Sequence, residues 1–228
     1  EDWVLRGISF TVERGEKIAL VGATGAGKST IIQLISRLYE PQRGLILVDD
    51  VPLGEWKLEN LRRGIAVVLQ DVFLFAGTVA DNIRIAEPME DAKIQQALEL
   101  SLAEPFVSRL PAGVETELGE RGNTLSLGER QLLSFDRAIA HEPAILVLDE
   151  ATASIDTQTE QQIQESSLRI SKNRTAIFIA YTPSTITHCD AIYLLQNGNI
   201  LEQGTHEELI DMHGAYASLF GDSPAQHS

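Results

Sequence analysis

The stretch Gly22-Ala23-Thr24-Gly25-Ala26-Gly27-Lys28-Ser29-Thr30 limits more than any other what this chain can fold into. It fits the pattern G-x-x-x-x-G-K-[ST], and its flanks fit too. Lys17 to Val21 (KIALV) reads as a short buried strand before it, and Ser29 to Tyr39 (STIIQLISRLY) as a helix after it. Glycines let the backbone curl so that several N–H groups converge on one anion without Cβ obstruction. The helix start adds unpaired N–H groups and the positive end of its dipole. The expected chemistry is a phosphate cradle built from Gly22, Thr24, Gly25, Ala26, Gly27, Lys28, Ser29 and Thr30. Lys28 would reach the β- and γ-phosphates, and the Ser29 hydroxyl would take one Mg²⁺ position. The competing explanation is a glycine-rich turn that holds no ligand. The Lys-Ser pair in register between strand and helix weighs against that.

At 228 residues, with 43% hydrophobic residues, the chain suffices for one large α/β domain or a core with a lobe. Its formal charge of −15 argues against a general nucleic-acid or anionic-membrane surface. Apolar blocks such as Ala144 to Leu148 are too short to cross a bilayer, and no signal peptide is visible. The one cysteine, Cys189, excludes an internal disulfide or a cysteine-rich zinc site and reads as packing. The chain opens at Glu1 and is read as a domain of something longer.

Along the chain, Val4 to Val12 alternates as a strand, Gly44 to Val48 (GLILV) reads as another, and Leu58 to Arg63 as a short helix. Ile65 to Leu69 (IAVVL) is a buried strand ending at Gln70. Between Asp71 and about Ser126 helical patterns dominate, with Ala92, Ile94, Ala97, Leu98 and Leu100 at roughly helical spacing. Pro111 to Thr124 is loop-like. Gly128 to His141 is amphipathic, with Leu132, Phe135 and Ile139 on one face. The buried strand Ala144 to Leu148 ends in Asp149-Glu150, a polar helix follows from Thr157 to Ile170, and Thr175 to Ala180 is a strand. Asn197-Gly198 between apolar runs marks a hairpin, and Thr205 with Glu208 marks a capping box. Residues from Asp222 read as tail, and no internal repeat is seen. Strands alternating with helices predict an α/β fold with a mainly parallel sheet.

Two carboxylates at a strand end downstream of a phosphate loop have separable tasks. Asp149 can hold Mg²⁺, and Glu150 can polarise a water for in-line attack on the γ-phosphorus. Gln70, also at a strand end, can contact Mg²⁺ or that water. The competing explanations are an exposed acidic pair that caps the strand and, for Gln70 taken singly, a strand-end glutamine that is simply solvated.

The order of these motifs resembles the nucleotide-binding domain of an ATP-binding-cassette (ABC) transporter of the exporter type. Leu125-Ser126-Leu127-Gly128-Glu129-Arg130 resembles its signature loop, Asp149-Glu150 its Walker B end, Gln70 its Q-loop and Ser154-Ile155-Asp156 its D-loop. Thr116 to Gly122 (TELGERG) resembles the segment before the signature in exporters. The resemblance covers nearly the whole chain. It implies a P-loop NTPase (RecA-like) core with an N-terminal antiparallel β part and an inserted helical lobe. The core would be residues 1–70 and 142–228, and the lobe 71–141 with the signature loop. It implies ATP as ligand, Mg²⁺ held by Ser29, Gln70 and Asp149, and hydrolysis through Glu150, Gln70 and Tyr181. Ser126 and Gly128 would address the ATP of a partner domain, in a homo- or heterodimer formed head to tail. The lobe, including Asp71 to Arg84, would receive the transmembrane domains of an exporter. That places the chain at the cytoplasmic face of a membrane, with no nucleic-acid partner.

Four positions depart from the family pattern. Tyr181 stands where the switch histidine is usual, and a phenol with a pKa near 10 cannot act as an imidazole at neutral pH. This opens the alternative of a degenerate ATP-binding switch in a heterodimeric exporter, with little turnover. Leu127 and Glu129 replace glycine and glutamine, Glu129 bringing negative charge toward a phosphate site. Asp136 replaces a small apolar residue and, if buried unpaired, costs several kcal/mol. Trp3 lies too close to the glycine loop for the adenine platform and reads as a core or interface residue. A DNA-repair ATPase would carry coiled-coil or zinc insertions and basic surfaces, and a kinase or GTPase would share only the glycine loop.

Overall fold

The computed structural model describes residues 3–85, 87–149, 156–180 and 182–221. Its strands are β1 (Lys17–Val21), β2 (Leu47–Val48), β3 (Val51–Pro52), β4 (Ile65–Val68), β5 (Gly77–Thr78), β6 (Glu117–Leu118), β7 (Ile145–Asp149), β8 (Thr175–Ile179), β9 (Ala191–Gln196) and β10 (Asn199–Gly204). Its α-helices are α1 (Lys28–Ile35), α2 (Leu58–Gly64), α3 (Val79–Arg84), α4 (Asp91–Leu100), α5 (Glu104–Val107), α6 (Leu127–Ile139), α7 (Thr157–Ser171), α8 (Pro183–Ile186), α9 (His206–Asp211) and α10 (Ala215–Phe220). The architecture is mixed α/β with a mostly parallel sheet, as the alternation of strand and helix predicts. The chain divides into two compact units, one of residues up to 65 and from 175, the other of residues 66–174.

In the first unit the strand order is β10-β9-β1-β8. β1 runs parallel to both β8 and β9, and β10 returns antiparallel to β9. Continuous apolar runs explain the centre: Ile18, Ala19, Leu20 and Val21 are fully buried, as are Ala176, Phe178 and Ile192. A parallel strand covered on both faces needs such a run rather than alternation. The β9–β10 turn is Asn197-Gly198, with φ of 50° and 77°, the left-handed pair that a two-residue hairpin demands. Glu202 on β10 accepts hydrogen bonds from the backbone N–H groups of Ala215 and Tyr216, at 2.7 and 2.9 Å, and so anchors the start of α10.

Three expectations change in this unit. The segment 4–12 forms no ladder; Arg6 N–H donating to the Gly198 carbonyl at 2.7 Å, the Tyr193 hydroxyl donating to the Thr11 carbonyl at 3.4 Å, and a ring contact of Phe10 with Tyr193 hold it. The strand expected at 44–48 shrinks to β2, which pairs antiparallel with β3 through Asp49 and Asp50, both left-handed. Helix α1 stops at Ile35 rather than Tyr39. Arg37 turns left-handed with φ 51°, and the Leu38 N–H reaches back to the Gln33 carbonyl, a Schellman-type stop that uses no glycine.

In the second unit β4 neighbours β7, whose Leu146, Val147 and Leu148 are buried. The region expected to be helical holds α3, α4 and α5, and the loop-like stretch contributes β6, which pairs with β5. Thr78 and Asp81 form a capping box that starts α3. The Thr78 backbone N–H lowers the Asp81 carboxyl below its usual range. Leu132, Phe135 and Ile139 of α6 are buried, as their spacing predicts. Among the described residues no helix is long and apolar enough to cross a membrane, and no group of three His, Cys, Asp or Glu forms a metal cluster.

Gly198 combines positive φ with a position where a Cβ would run into the Val4 carbonyl. Gly198→Ala is therefore expected to destabilise the chain by about 1–3 kcal/mol in urea denaturation, since the left-handed backbone and the Val4 carbonyl both oppose a side chain there.

Candidate functional site

The glycine loop lies wholly in the first unit. Buried β1 delivers the chain to Gly22, whose φ of 145° and close approach to the Leu195 carbonyl leave no room for a side chain. The loop ends at Gly27, the N-cap of α1, in the left-handed conformation (φ 111°) with no side-chain cap. Serine or aspartate at that position would occupy the first-turn N–H groups itself. No side chain caps this helix start, and Ser29 is exposed on it. A Cβ on Gly27 would also press on Leu5 Cδ2, at 2.5 Å. Lys28 is 4% exposed and folds over the loop, its Nζ donating to the carbonyls of Gly22 (2.5 Å) and Ala23 (3.0 Å). A cation thus sits on the turn, beside the positive end of a helix. The arrangement suits a polyphosphate.

Two further contacts brace the loop. The Gly198 N–H donates to the Ala26 carbonyl at 3.3 Å, and the Gly198 carbonyl accepts from Arg6 N–H. Trp3, half-buried, carries the Arg43 guanidinium over its ring at 4.9 Å. That contact agrees with a packing role for Trp3.

In the second unit Gln70 is exposed two residues past the end of β4, and Asp149 ends β7. Glu150, Tyr181, Ser154 and Ile155 lie outside the described residues. Ser126 is the N-cap of α6 and forms a capping box with Glu129: the Glu129 N–H donates to Ser126 Oγ (3.2 Å), and Glu129 Oε2 accepts from the Ser126 N–H (2.8 Å). The Glu129 charge therefore turns back onto its own helix start and is not presented outward, unlike the sequence expectation. Glutamine would fill the same role, which explains why either residue suits the position. The Ser126 hydroxyl accepts from the backbone and keeps its own proton to donate.

Gly128 is buried because α6 meets α7 there; a Cβ would collide with Thr159 Cγ2. The first turns of both helices border one groove of about 340 Å³, with Phe106 and Arg109 on its far wall. Asp156 caps α7 by accepting the Thr159 N–H at 3.0 Å, and the Thr159 hydroxyl, followed by that N–H, holds its carboxyl below the usual range.

Sequence reasoning missed one positioning pair. Arg137 of α6 donates to the Phe73 carbonyl (2.8 Å), the Asn82 carbonyl (3.0 Å) and Asn82 Oδ1 (2.9 Å), and stacks on Phe75 at 5.3 Å. Asn82, 2% exposed, grips Phe75 through both its backbone groups. Phe73 and Phe75 stand half exposed in an edge-to-face pair. The only signal in the sequence was an arginine within the amphipathic helix.

Because Glu129 acts through the cap, Glu129→Ala is expected to cost about 0.5–1 kcal/mol in chemical denaturation, and Glu129→Gln less than about 0.5 kcal/mol.

Comparison with known proteins agrees with this geometry. Residues 5–153 match the family described as ABC transporter. Over 95% of its length the chain is 45% identical to a putative ABC transporter ATP-binding protein of Streptococcus pneumoniae, of which it spans 37%. It is 43% identical over 96% of its length to an ATP-dependent lipid A-core flippase of Alkalilimnicola ehrlichii, spanning 38% of that protein. A solved bacterial Atm1-family ABC exporter with ATP bound superposes with a TM-score of 0.88 at 38% identity, covering 99% of this chain and 40% of that one. The chain thus spans well under half the length of these relatives. With the glycine loop, the signature turn and the strand-end carboxylate all in the expected order, the chain belongs to the ABC transporter family, as an ATP-binding domain.

Proposed function

We propose that this chain binds ATP, pairs head to tail with a second nucleotide-binding domain, and hydrolyses ATP to power export across a membrane. The observation that carries the proposal is the left-handed, uncapped Gly27 beneath the folded-over Lys28. A turn so built has donors and charge aimed at one place. The loop residues Gly22 and Thr24 to Thr30 would hold the phosphates, and Ser126 and Gly128 would meet the γ-phosphate bound by the partner. Either an identical or a different domain would serve as that partner.

Ser29, Gln70 and Asp149 offer a hydroxyl, an amide oxygen and a carboxylate, a set of hard oxygen donors that fits Mg²⁺ better than a softer metal. Bound there, Mg²⁺ would neutralise phosphate charge. Glu150 would take the proton of the attacking water, Gln70 would orient that water, and Tyr181 would donate one hydrogen bond to the γ-phosphate. The exposed Phe73 and Phe75, fixed by Arg137, are suited to receive transmembrane domains, which would put the chain at the cytoplasmic face. Relatives named as flippases and multidrug export proteins support turnover and lend no support to a degenerate switch.

Lys28→Ala removes a charge-assisted phosphate contact and is expected to weaken ATP binding by about ten- to a hundredfold in calorimetry. Glu150→Gln is expected to keep ATP binding while turnover falls about 10²- to 10⁴-fold. An ATP-bound dimer should then accumulate, visible as a shift in gel filtration.

A further inference from the structure

Three fully buried polar side chains meet inside the second unit: Ser101 at the end of α4, Asp136 on α6 and Ser166 on α7. Ser101 Oγ lies 2.5 Å from Asp136 Oδ1, 3.2 Å from the Leu98 carbonyl and 3.2 Å from the Ala103 N–H. Ser166 Oγ donates to the Ser101 carbonyl at 2.7 Å, which ties α7 to the same point. A hydroxyl has one proton to give and two lone pairs to receive with. Ala103 fills one lone pair. The Leu98 carbonyl and an ionised carboxylate would both demand the one proton, and one of them would go without.

We propose that Asp136 is a proton-binding site, held as the neutral acid, that donates to Ser101 Oγ and secures the junction of α4, α6 and α7. The conflict then disappears. Asp136 fills the second lone pair of Ser101, and the Ser101 proton goes to Leu98. Asp136 Oδ2 has no hydrogen-bond partner among the described residues. As a neutral carbonyl oxygen it is far cheaper to leave so than as half of a carboxylate.

Among the described residues no neighbouring element turns a charge toward the site; Glu104 of α5 accepts from the Ser108 hydroxyl. On α4, Asp91, Lys93 and Glu99 are exposed, Lys93 pairing with Glu142 and Asp91 with Arg84 of α3. Asp81 of α3 is spent in its capping box. On α7, Glu165 and Arg169 are exposed, and Glu160 accepts from Gln164. Arg137 and Glu129 of α6 are spent on Asn82 with Phe73 and on Ser126, and Arg130 donates to the Leu125 carbonyl. Consistent with this, burial raises the Asp136 carboxyl from 3.8 to about 8, against a smaller lowering by Ser101. Between those values the folded chain holds one proton more than the unfolded chain, so stability falls as pH rises through that window. Above it the proton is lost and the junction carries a buried charge.

The test is carbon-13 NMR of aspartate-labelled 228-residue chain, titrated from about pH 5 to about pH 9.5. One carboxyl should titrate near pH 8 and be absent from Asp136→Asn. Completion of every aspartate titration below about pH 6 would overturn the proposal, and this readout needs no variant to fold. In urea, the unfolding constant of the unsubstituted chain relative to Asp136→Asn should rise by up to about tenfold per pH unit between pH 5 and 8, then level off. A ratio that does not change with pH would equally reject it. The inference stands apart from the nucleotide reading and survives if that fails.

Discussion

The left-handed turn at Gly27 is the constraint on which the first unit depends. It lets β1 pass into α1 without a side-chain cap. A side chain on Gly27 would press on the end of Leu5 as well as strain the left-handed backbone, and the neighbouring Ala26 carbonyl takes the Gly198 N–H. The N-terminal segment, the phosphate loop and the β9–β10 hairpin are therefore locked at their glycines. Each backbone hydrogen bond there is worth only about 1 kcal/mol. What fixes the arrangement is steric: three backbones meet where no side chain fits, so none can shift without the others.

The second unit solves a different problem, how to bury polar groups within a helix cluster. Asp136 and Arg137 are adjacent in sequence and both largely removed from water, yet they do not neutralise one another. About 100° of helix rotation separates them. Arg137 turns to the carbonyls of Phe73 and Asn82 and keeps its charge among dipoles, although burial lowers its pKa. Asp136 turns to a hydroxyl whose own requirements are met best by a neutral acid. One helix thereby carries a capped polar start, a buried acid and a guanidinium clamp, each facing a different neighbour.

How much of this was legible follows from how local each signal is. KIALV, the Asn197-Gly198 turn and the Thr205 capping box are decided by residues within a few positions, and the structure has them where the sequence places them. The ladder expected at 4–12 was not decidable locally, because a strand needs a partner whose identity is set elsewhere. GLILV failed for a related reason: Asp49 and Asp50 entered the left-handed region and folded it back on itself. The glycine loop was fully legible as a pattern. The tight meeting of Gly128 with Thr159 was not, since it depends on the 30 intervening residues bringing α7 alongside α6.

On net charge alone, −15, the chain is a poor host for a polyphosphate, but net charge and local donors act over different distances. At physiological ionic strength charges on the surface are screened beyond about 8 Å, so the acidic exterior contributes a diffuse and weakened repulsion. Lys28 is almost wholly withdrawn from water and is screened far less. The helix end beside it acts over about one turn, the range at which a phosphate in the loop would sit. Local donors at contact distance therefore outweigh global charge of the opposite sign. The same logic applies at Glu129: its carboxylate, one turn from the serine proposed to meet a partner's phosphate, is already held by the Ser126 N–H.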